Sequence, residues 1–286
     1  MPTSISLTPP DDAAVNAVVR AALAEDVGTG DATAALAPGR PARARLICRE
    51  EAILCGRPWF DAVYRELDRA VGVHWQAQDG DRLLPGQTVC EITGPAPVIL
   101  TGERTALNFL QTLSGTATLT RRYVDAVAGS AARIFDTRKT LPGLRVAQKY
   151  AVRCGGGCNQ RMGLFDAMLI KENHIAAAGG ITAAVRAARQ RHPDLPLQVE
   201  VETIEQLTEV LDLGVESVLL DNFDLEQLER AVAVRVAQGR VAALEASGGI
   251  GLAEVARIAA TGVDRISVGG LTKHVQAVDY SLRIIG

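Results

Sequence analysis

Six short strand-like runs recur between residues 132 and 270, and helical segments separate most of them. The runs are ARIFDT (132–137), AMLIKE (167–172), LQVEVET (197–203), SVLLDN (217–222), VAALEASGG (241–249) and DRISVGG (264–270). Between them, RVAQKYAVRC (145–154), ITAAVRAARQ (181–190), EQLTEVLDL (205–213), DLEQLERAVAV (224–234) and LAEVARIAA (252–260) carry apolar residues on a helical period. Strands separated by whole helices cannot pair as hairpins, so the pattern predicts parallel neighbours joined by right-handed crossovers. Apolar residues run nearly throughout these strands, which predicts that both faces are covered. The fold class that follows is α/β, with a closed or nearly closed α/β barrel built on about six parallel strands. The units share periodicity but not sequence, so they are not a repeat array.

The chain before residue 132 reads differently. Asp11 and Asp12 are good caps for an apolar-periodic helix over 11–26, and EDVGTGDAT (25–33) then breaks the period. Strand-like runs follow at ARARLIC (42–48), VGVHWQAQ (71–78) and QTVCEIT (87–93), with a helical segment RPWFDAVYRELD (57–68) among them. Strands grouped together with helices at their margins predict a small N-terminal α+β layer ending near Gly94-Pro95. A helical stretch over 100–127, interrupted around Ser114-Gly115, leads into the alternating region.

Composition narrows the partners. With 48% hydrophobic and 22% charged residues the chain is neither disordered, collagenous nor coiled coil. A net charge of -3 supplies no global field for a polyanion, so no nucleic-acid partner is expected. The start MPTSISLTPPDD has no basic segment followed by an apolar one, and no run approaches 18 uncharged apolar residues, so no export signal or membrane partner is expected. Five scattered cysteines (48, 55, 90, 154, 158) suit reduced thiols, and the expected compartment is the cytoplasm.

Most of the six runs end in polar or glycine residues: Asp136-Thr137-Arg138-Lys139, Lys171-Glu172-Asn173-His174, Glu200 with Glu202, Asp221-Asn222, Glu245 with Ser247-Gly248-Gly249, and Val268-Gly269-Gly270. In α/β barrels these ends converge on one mouth. A single such residue, Asp221 or Ser247, is explained as well by capping of the next helix, but six ends together predict a pocket. Lys171 and Glu200 close apolar runs, where an unpartnered charge is costly, so they require a partner or a ligand.

Cations concentrate between 133 and 171. A solvated helix face accounts for Arg145, Lys149 and Arg153 at helical spacing, but not for Arg138, Lys139, Arg161 and Lys171 in loops and at strand ends. Arginine forks and lysine ammoniums there suit carboxylates and phosphates, so the ligand is strongly anionic. The glycine pairs after the last two strands add exposed backbone N–H groups, and with a following helix N-terminus they predict a phosphorylated, sugar-like substrate. Glu200 and Asp221 on neighbouring strands could hold Mg²⁺. Cys154 and Cys158 lack a second ligand pair for zinc, and His174 either acts in the chemistry or fixes the loop after Lys171.

These residues lie in motifs that resemble the quinolinate phosphoribosyltransferases, also called nicotinate-nucleotide pyrophosphorylases (carboxylating). The motifs are EDVGTGDAT (25–33), TGERTALNFLQTLSGTAT (101–118), DTRKTLPGLR (136–145), KYAVRCGGGCNQRMGLFDAMLIKENHI (149–175), VEVET (199–203), LLDNF (219–223), EASGGI (245–250) and SVGGLT (267–272), and the likeness covers almost the whole chain. It implies a pentosyltransferase that moves phosphoribose from phosphoribosyl pyrophosphate (PRPP) to quinolinate, with decarboxylation, Mg²⁺ and no organic cofactor. It implies an N-terminal α/β sandwich over residues 1–114, joined by the segment 275–286 with a returning final helix, and an incomplete α/β barrel domain of about six parallel strands over 115–274. It implies a homodimer, possibly a higher oligomer, in which Arg104 is supplied across the interface.

By the same likeness Arg104, Arg138, Arg161 and Lys171 would surround the quinolinate carboxylates, with Thr137 and Gln160 beside them. Lys139 and the stretch of Ser247, Gly248, Gly249, Val268, Gly269 and Gly270 would hold the donor, while Glu200 and Asp221 would manage Mg²⁺ and ribose hydroxyls. The catalytic residues would be Lys139, Lys171, Glu200 and Asp221. One departure is Gln160, in NQR where the family often has NHR: an amide can donate a hydrogen bond but carries no charge. A Schiff-base aldolase using Lys171 and a non-catalytic sensor of phosphorylated sugar are the competing function classes.

Overall fold

The computed structural model describes residues 7–37 and 39–285. The expected domain limits at residues 1 and 286, and the first six residues of the N-terminal segment, lie outside the described residues. In chain order the first elements are α1 (Asp12–Val27), β1 (Pro41–Cys48), β2 (Ala52–Ile53), α2 (Arg57–Leu67), β3 (Gly72–Trp75), β4 (Arg82–Leu83), β5 (Thr88–Pro95) and α3 (Ala96–Ala126). Then come β6 (Arg133–Phe135), α4 (Arg145–Cys154), β7 (Met168–Ile170), α5 (Glu172–Ala178), α6 (Ile181–Arg191), β8 (Leu197–Val201) and α7 (Ile204–Asp212). The last are β9 (Ser217–Asp221), α8 (Leu225–Ala237), β10 (Ala243–Ser247), α9 (Val255–Ala260), β11 (Arg265–Ser267), α10 (Gly270–Lys273) and β12 (Tyr280–Ile284). They form two compact units: Met1–Arg121 with Thr140–Gly156 and Leu271–Gly286, and Arg122–Lys139 with Gly157–Gly270.

In the first unit β12, β1, β5 and β3 make an antiparallel sheet in that order. Asp11 caps α1, whose Val15, Val19 and Leu23 recur every fourth residue and are buried. The core also takes Trp59, Phe60 and Tyr64 from α2, and the ring of Phe60 meets Trp75 of β3 edge-on at 5.2 Å. The resemblance implied a returning final helix, but the chain returns as strand β12, pairing Tyr280 with Cys48 and Ile284 with Ala44. Completing the sheet on the free side of β1 satisfies backbone groups that a helix there would leave open.

Two expectations fail in this unit for the same reason, which is packing. Helix α3 runs unbroken through Ser114-Gly115. Ser114 is fully buried, exchanging hydrogen bonds with the Cys55 backbone at 3.0 and 3.1 Å and accepting the Tyr280 hydroxyl at 2.9 Å. A Cβ at Gly115 would overlap the backbone oxygen of Gln276, so this glycine allows a close approach of chains and is not a helix break. Nor is α4 a solvated cationic face: Lys149 is fully buried, Arg153 donates to the Thr8 carbonyl at 3.0 Å and lies over the Tyr150 ring, and Arg145 donates to Thr140. Helical spacing marks a face but does not say what covers it.

The second unit contains a parallel sheet of six strands in the order β6-β11-β10-β9-β8-β7. Strands β6 and β7 stand at opposite ends of that order, so the barrel is incomplete between them. On its free side β6 makes an isolated parallel bridge, Phe135 to Cys158. Ile134, Val199, Val201, Val218, Leu220, Leu244 and Ile266 fill one face of the sheet and are essentially inaccessible, each contributing about 1.5–3 kcal/mol of burial. Leu207, Val210 and Leu211 of α7 are buried at helical spacing, and α8 adds Leu228 and Ala231.

The other face does not match the expectation of apolar residues on both sides. Register places Glu200 beside Leu219, Leu219 beside Glu245 and Glu245 beside Arg265, with Asp221 beside Ser247. Residues paired in a ladder, and those two apart on one strand, share a face. Gln198, Glu200, Ser217, Asp221, Glu245, Ser247 and Arg265 therefore project together, on the side away from the apolar layer. In strands of three to five residues a strict alternation is only two or three residues deep, and it passes for a continuous apolar run.

All five cysteines are free, and no helix among the described residues is long and apolar enough to cross a membrane. Because the neighbour of Gly115 is main chain, Gly115→Ala should lower stability by about 1–3 kcal/mol in urea unfolding. Gly251→Ala, with open space around it, should leave the midpoint unchanged.

Candidate active site

The predicted strand-end residues of the second unit fall at the carboxyl end of the sheet or in the loop that follows, except Glu245, which lies in the middle of β10. Lys171 follows β7, Glu200 lies in β8, Asp221 and Ser247 end β9 and β10, and Thr137-Arg138-Lys139 and Val268-Gly269-Gly270 follow β6 and β11. Lys171 Nζ meets Glu200 Oε2 at 2.5 Å, the ammonium partly exposed and the carboxylate 9% exposed. The partner that sequence demanded for these two charges is thus, in this structure, each other.

Capping does not account for these residues. Helix α7 is capped by Thr203, whose hydroxyl accepts the Gln206 N–H, and α8 by Asp224 in a reciprocal pair with Gln227. Glu200 and Asp221 precede those caps by three residues and are not used for them. At α5 the Lys171 N–H is accepted by His174 Nδ1 at 3.1 Å, so this histidine fixes the loop after Lys171.

Loops β6, β9, β10 and β11 press on one another through glycine. Gly248 has φ +114, and a Cβ there would overlap the side chain of Asn222. Asn222 itself has φ 56, donates its side-chain amide to Asp221 Oδ2 at 2.9 Å and its N–H to the Ser247 carbonyl at 2.9 Å. Gly269 lies against Lys139, whose Cδ would be 3.0 Å from an added Cβ, and against the Thr137 hydroxyl. The Lys139 N–H in turn donates to Thr137 Oγ1 at 3.1 Å. The helix after Gly248-Gly249 begins only at Val255, so this loop offers its own backbone amides and not the expected helix terminus.

The loop carrying Gln160 and Arg161 is tied to β6 and β10. Asp136 is fully buried; its Oδ2 accepts the Asn159 side-chain amide at 2.6 Å and its Oδ1 the Gln160 N–H at 2.8 Å. Gln160 Nε2 donates to Glu245 Oε2, which also accepts Gln198 Nε2 at 3.0 Å. Asp166 closes the next turn by accepting the N–H groups of Met162 and Gly163 at 2.6 and 2.9 Å. Burial, reinforced by the neighbouring Arg138 cation, pulls the Arg161 pKa below its ordinary value, against the opposing pull of Asp166. Two guanidinium groups held near one another favour an anion between or before them.

Sequence reasoning named Asn222 in a strand-end cluster without giving it a role, and passed over Asn159 and Gln198. The first could have been suspected from its tolerance of left-handed backbone; nothing local marks the other two. Arg104 is exposed on α3 in the first unit, near Glu103, whose carboxyl burial pushes up. In the same unit Cys55, Asp79 and Cys154 bring one ligand atom each within 4.8 Å of the others. There Asp79 already accepts the Gly56 and Arg57 N–H groups and the Tyr150 hydroxyl, and burial pushes the Cys55 thiol well up, which suits a structural contact. Glu200 and Asp221, by contrast, are hard oxygen donors on one face of adjacent strands. Two carboxylates suit a Mg²⁺ ion that takes its remaining ligands from substrate and water.

A family profile described as quinolinate phosphoribosyl transferase, C-terminal domain, matches residues 116–283, and one described as the N-terminal domain of the same family matches 29–114. The nicotinate-nucleotide pyrophosphorylase (carboxylating) of Mycobacterium leprae is 44% identical over 272 residues, covering 92% of this chain and 95% of that protein. The human protein of that name is 38% identical, covering 94% and 91%. A solved structure of the nicotinate-nucleotide pyrophosphorylase from Francisella tularensis superposes with a TM-score of 0.94 at 45% identity, covering 98% of this chain and 99% of that one. The chain belongs to the quinolinate phosphoribosyltransferase family.

Proposed function

We propose that this enzyme transfers the 5-phosphoribosyl group of PRPP to the ring nitrogen of quinolinate, with loss of the 2-carboxylate as CO₂. The products are nicotinate mononucleotide for NAD synthesis, pyrophosphate and CO₂. The observation that carries the reading is the gathering of Arg138, Lys139, Lys171 and two glycine loops at the strand ends of one unit, with Arg161 in the loop that is tied to β6 and β10. Such a rim suits two substrates that are both polyanions and repel each other.

In this reading Arg138, Arg161 and Lys171 hold the quinolinate carboxylates, with Thr137 and Gln160 alongside, and a partner subunit of a homodimer contributes Arg104. Lys139 and the backbone of Ser247, Gly248, Gly249, Val268, Gly269 and Gly270 hold the PRPP phosphates. Glu200 and Asp221 hold Mg²⁺, which when bound offsets the charge of the departing pyrophosphate. The same carboxylates stabilise the positive charge that grows on the ribose as its bond to pyrophosphate lengthens. Once the ring nitrogen is alkylated, it accepts the electron pair released when the 2-carboxylate leaves as CO₂. No protein nucleophile and no organic cofactor enters, and the free cysteines accord with a cytoplasmic enzyme.

The Schiff-base alternative is disfavoured by the contact of Lys171 with Glu200, which suits a fixed cation better than a free amine nucleophile. Quinolinate, PRPP and Mg²⁺ together should yield CO₂ and nicotinate mononucleotide, whereas nicotinate as acceptor should not react. An enzyme that releases no CO₂ from that mixture is not the one proposed. Arg161→Ala should lower kcat/KM for quinolinate by about 10²–10³-fold with the fold retained. Arg104→Ala and Lys171→Ala should each be inactive alone and recover partial activity when their subunits exchange; exchange without recovery would contradict the shared site.

A further inference from the structure

We infer that Glu245 is a positioning residue, which holds the Gln160–Arg161 corner from inside the barrel and so sets affinity for the acceptor and not for PRPP. The inference rests on the proposed function. Glu245 lies in the middle of β10 and is 0% exposed, so it cannot touch a substrate. Whatever it does passes through its neighbours. Its Oε2 accepts hydrogen bonds from Gln160 Nε2 and from Gln198 Nε2, and Gln198 also donates to Ser217 Oγ at 3.1 Å. Its Oε1 accepts none among the described residues.

A carboxylate only accepts, so both glutamines must turn their NH₂ groups toward it. This chooses one of the two orientations open to the Gln160 amide and aims its oxygen away from β10. Asp136 fixes the same residue at its backbone N–H, so Gln160 is held at the main chain from β6 and at the side chain from β10. Arg161 follows directly. Its guanidinium donates to the Ala167 carbonyl at 3.2 Å, and it stands near the like-charged Arg138. A guanidinium repelled by a like charge keeps one direction only when the backbone beneath it is fixed. The two buried carboxylates, Asp136 and Glu245, provide that fixing.

An amide at 245 reproduces the shape but gives the two glutamines a neutral oxygen to share in place of a carboxylate oxygen, and hydrogen bonds to a neutral acceptor are about half as strong as charge-assisted ones. In Glu245→Gln the dissociation constant for quinolinate, read by calorimetry, should rise about tenfold, with KM for PRPP within about twofold of wild type. Gln198→Glu added to Glu245→Gln returns a carboxylate to the trio and lets the amide now at position 245 accept from Gln160, so the double variant should regain most of the affinity. If Glu245→Gln alone does not fold, the double variant decides: near-native quinolinate affinity supports the inference, and acceptor-specific weakening overturns it. Unchanged quinolinate binding in Glu245→Gln, or equal weakening toward both substrates, would also overturn it. Should the wild-type enzyme bind no quinolinate, it is the proposed function that fails. The positioning role is then decided by hydrogen exchange at the Gln160 N–H, faster in Glu245→Gln if Glu245 holds the corner and equal if it does not.

Discussion

Carboxylates buried at the parallel sheet, Glu200 and Glu245 on its inward face and Asp136 just past the end of β6, are what allow cations to gather at its rim. Asp136, Glu200 and Glu245 are each at most 9% exposed, and each is tied to an amide or an ammonium. Removing a carboxylate from water is tolerable only when hydrogen bonds or a counter-charge replace the lost hydration. That demand fixes the donors as firmly as it satisfies the acceptors. Glu200 therefore places Lys171, and Asp136 and Glu245 place the segment leading to Arg161.

The same demand explains why the open side of the barrel is not a defect. Between β6 and β7 the ladder lacks a strand pair, and the segment 158–160 takes the place next to β6. A regular strand there would spend its backbone groups on two neighbours. Instead Cys158 forms the bridge to Phe135, and the residues after it bond to side chains: Asn159 and the Gln160 N–H to Asp136, and the Gln160 amide to Glu245. An interrupted ladder thus converts main-chain pairing into side-chain placement close to where charge must be concentrated.

Much of this was legible in the sequence, because it rests on periodicity and on residue type at strand ends. The six strands, their order of appearance and the residues at their carboxyl ends follow from short, largely apolar runs punctuated by charge and glycine. What was not legible depends on what lies opposite a residue. Lys149 has the spacing of a solvated face and the burial of a core residue. The inward polar face was hidden because strands such as β9, Ser217–Asp221, show only one polar residue at each end. The terminal strand β12 has five residues and little pattern of its own; its partner β1 lies more than two hundred positions earlier, and no local rule reaches that far.

Glycine shows the same division most clearly, since one residue type served three purposes that sequence cannot separate. At Gly115 a neighbouring backbone excludes a side chain while the helix continues. At Gly248 both the positive φ and the Asn222 side chain exclude one, which draws the β9 and β10 loops into contact at the strand ends. At Gly269 the backbone is ordinary and the constraint is the Lys139 stem lying against it, so a methyl group there would make that side chain give way by a few tenths of an ångström. At Gly269 the missing side chain brings backbone and the Lys139 side chain close together, and under the proposed function that juxtaposition, more than any glycine signature, is what suits phosphate.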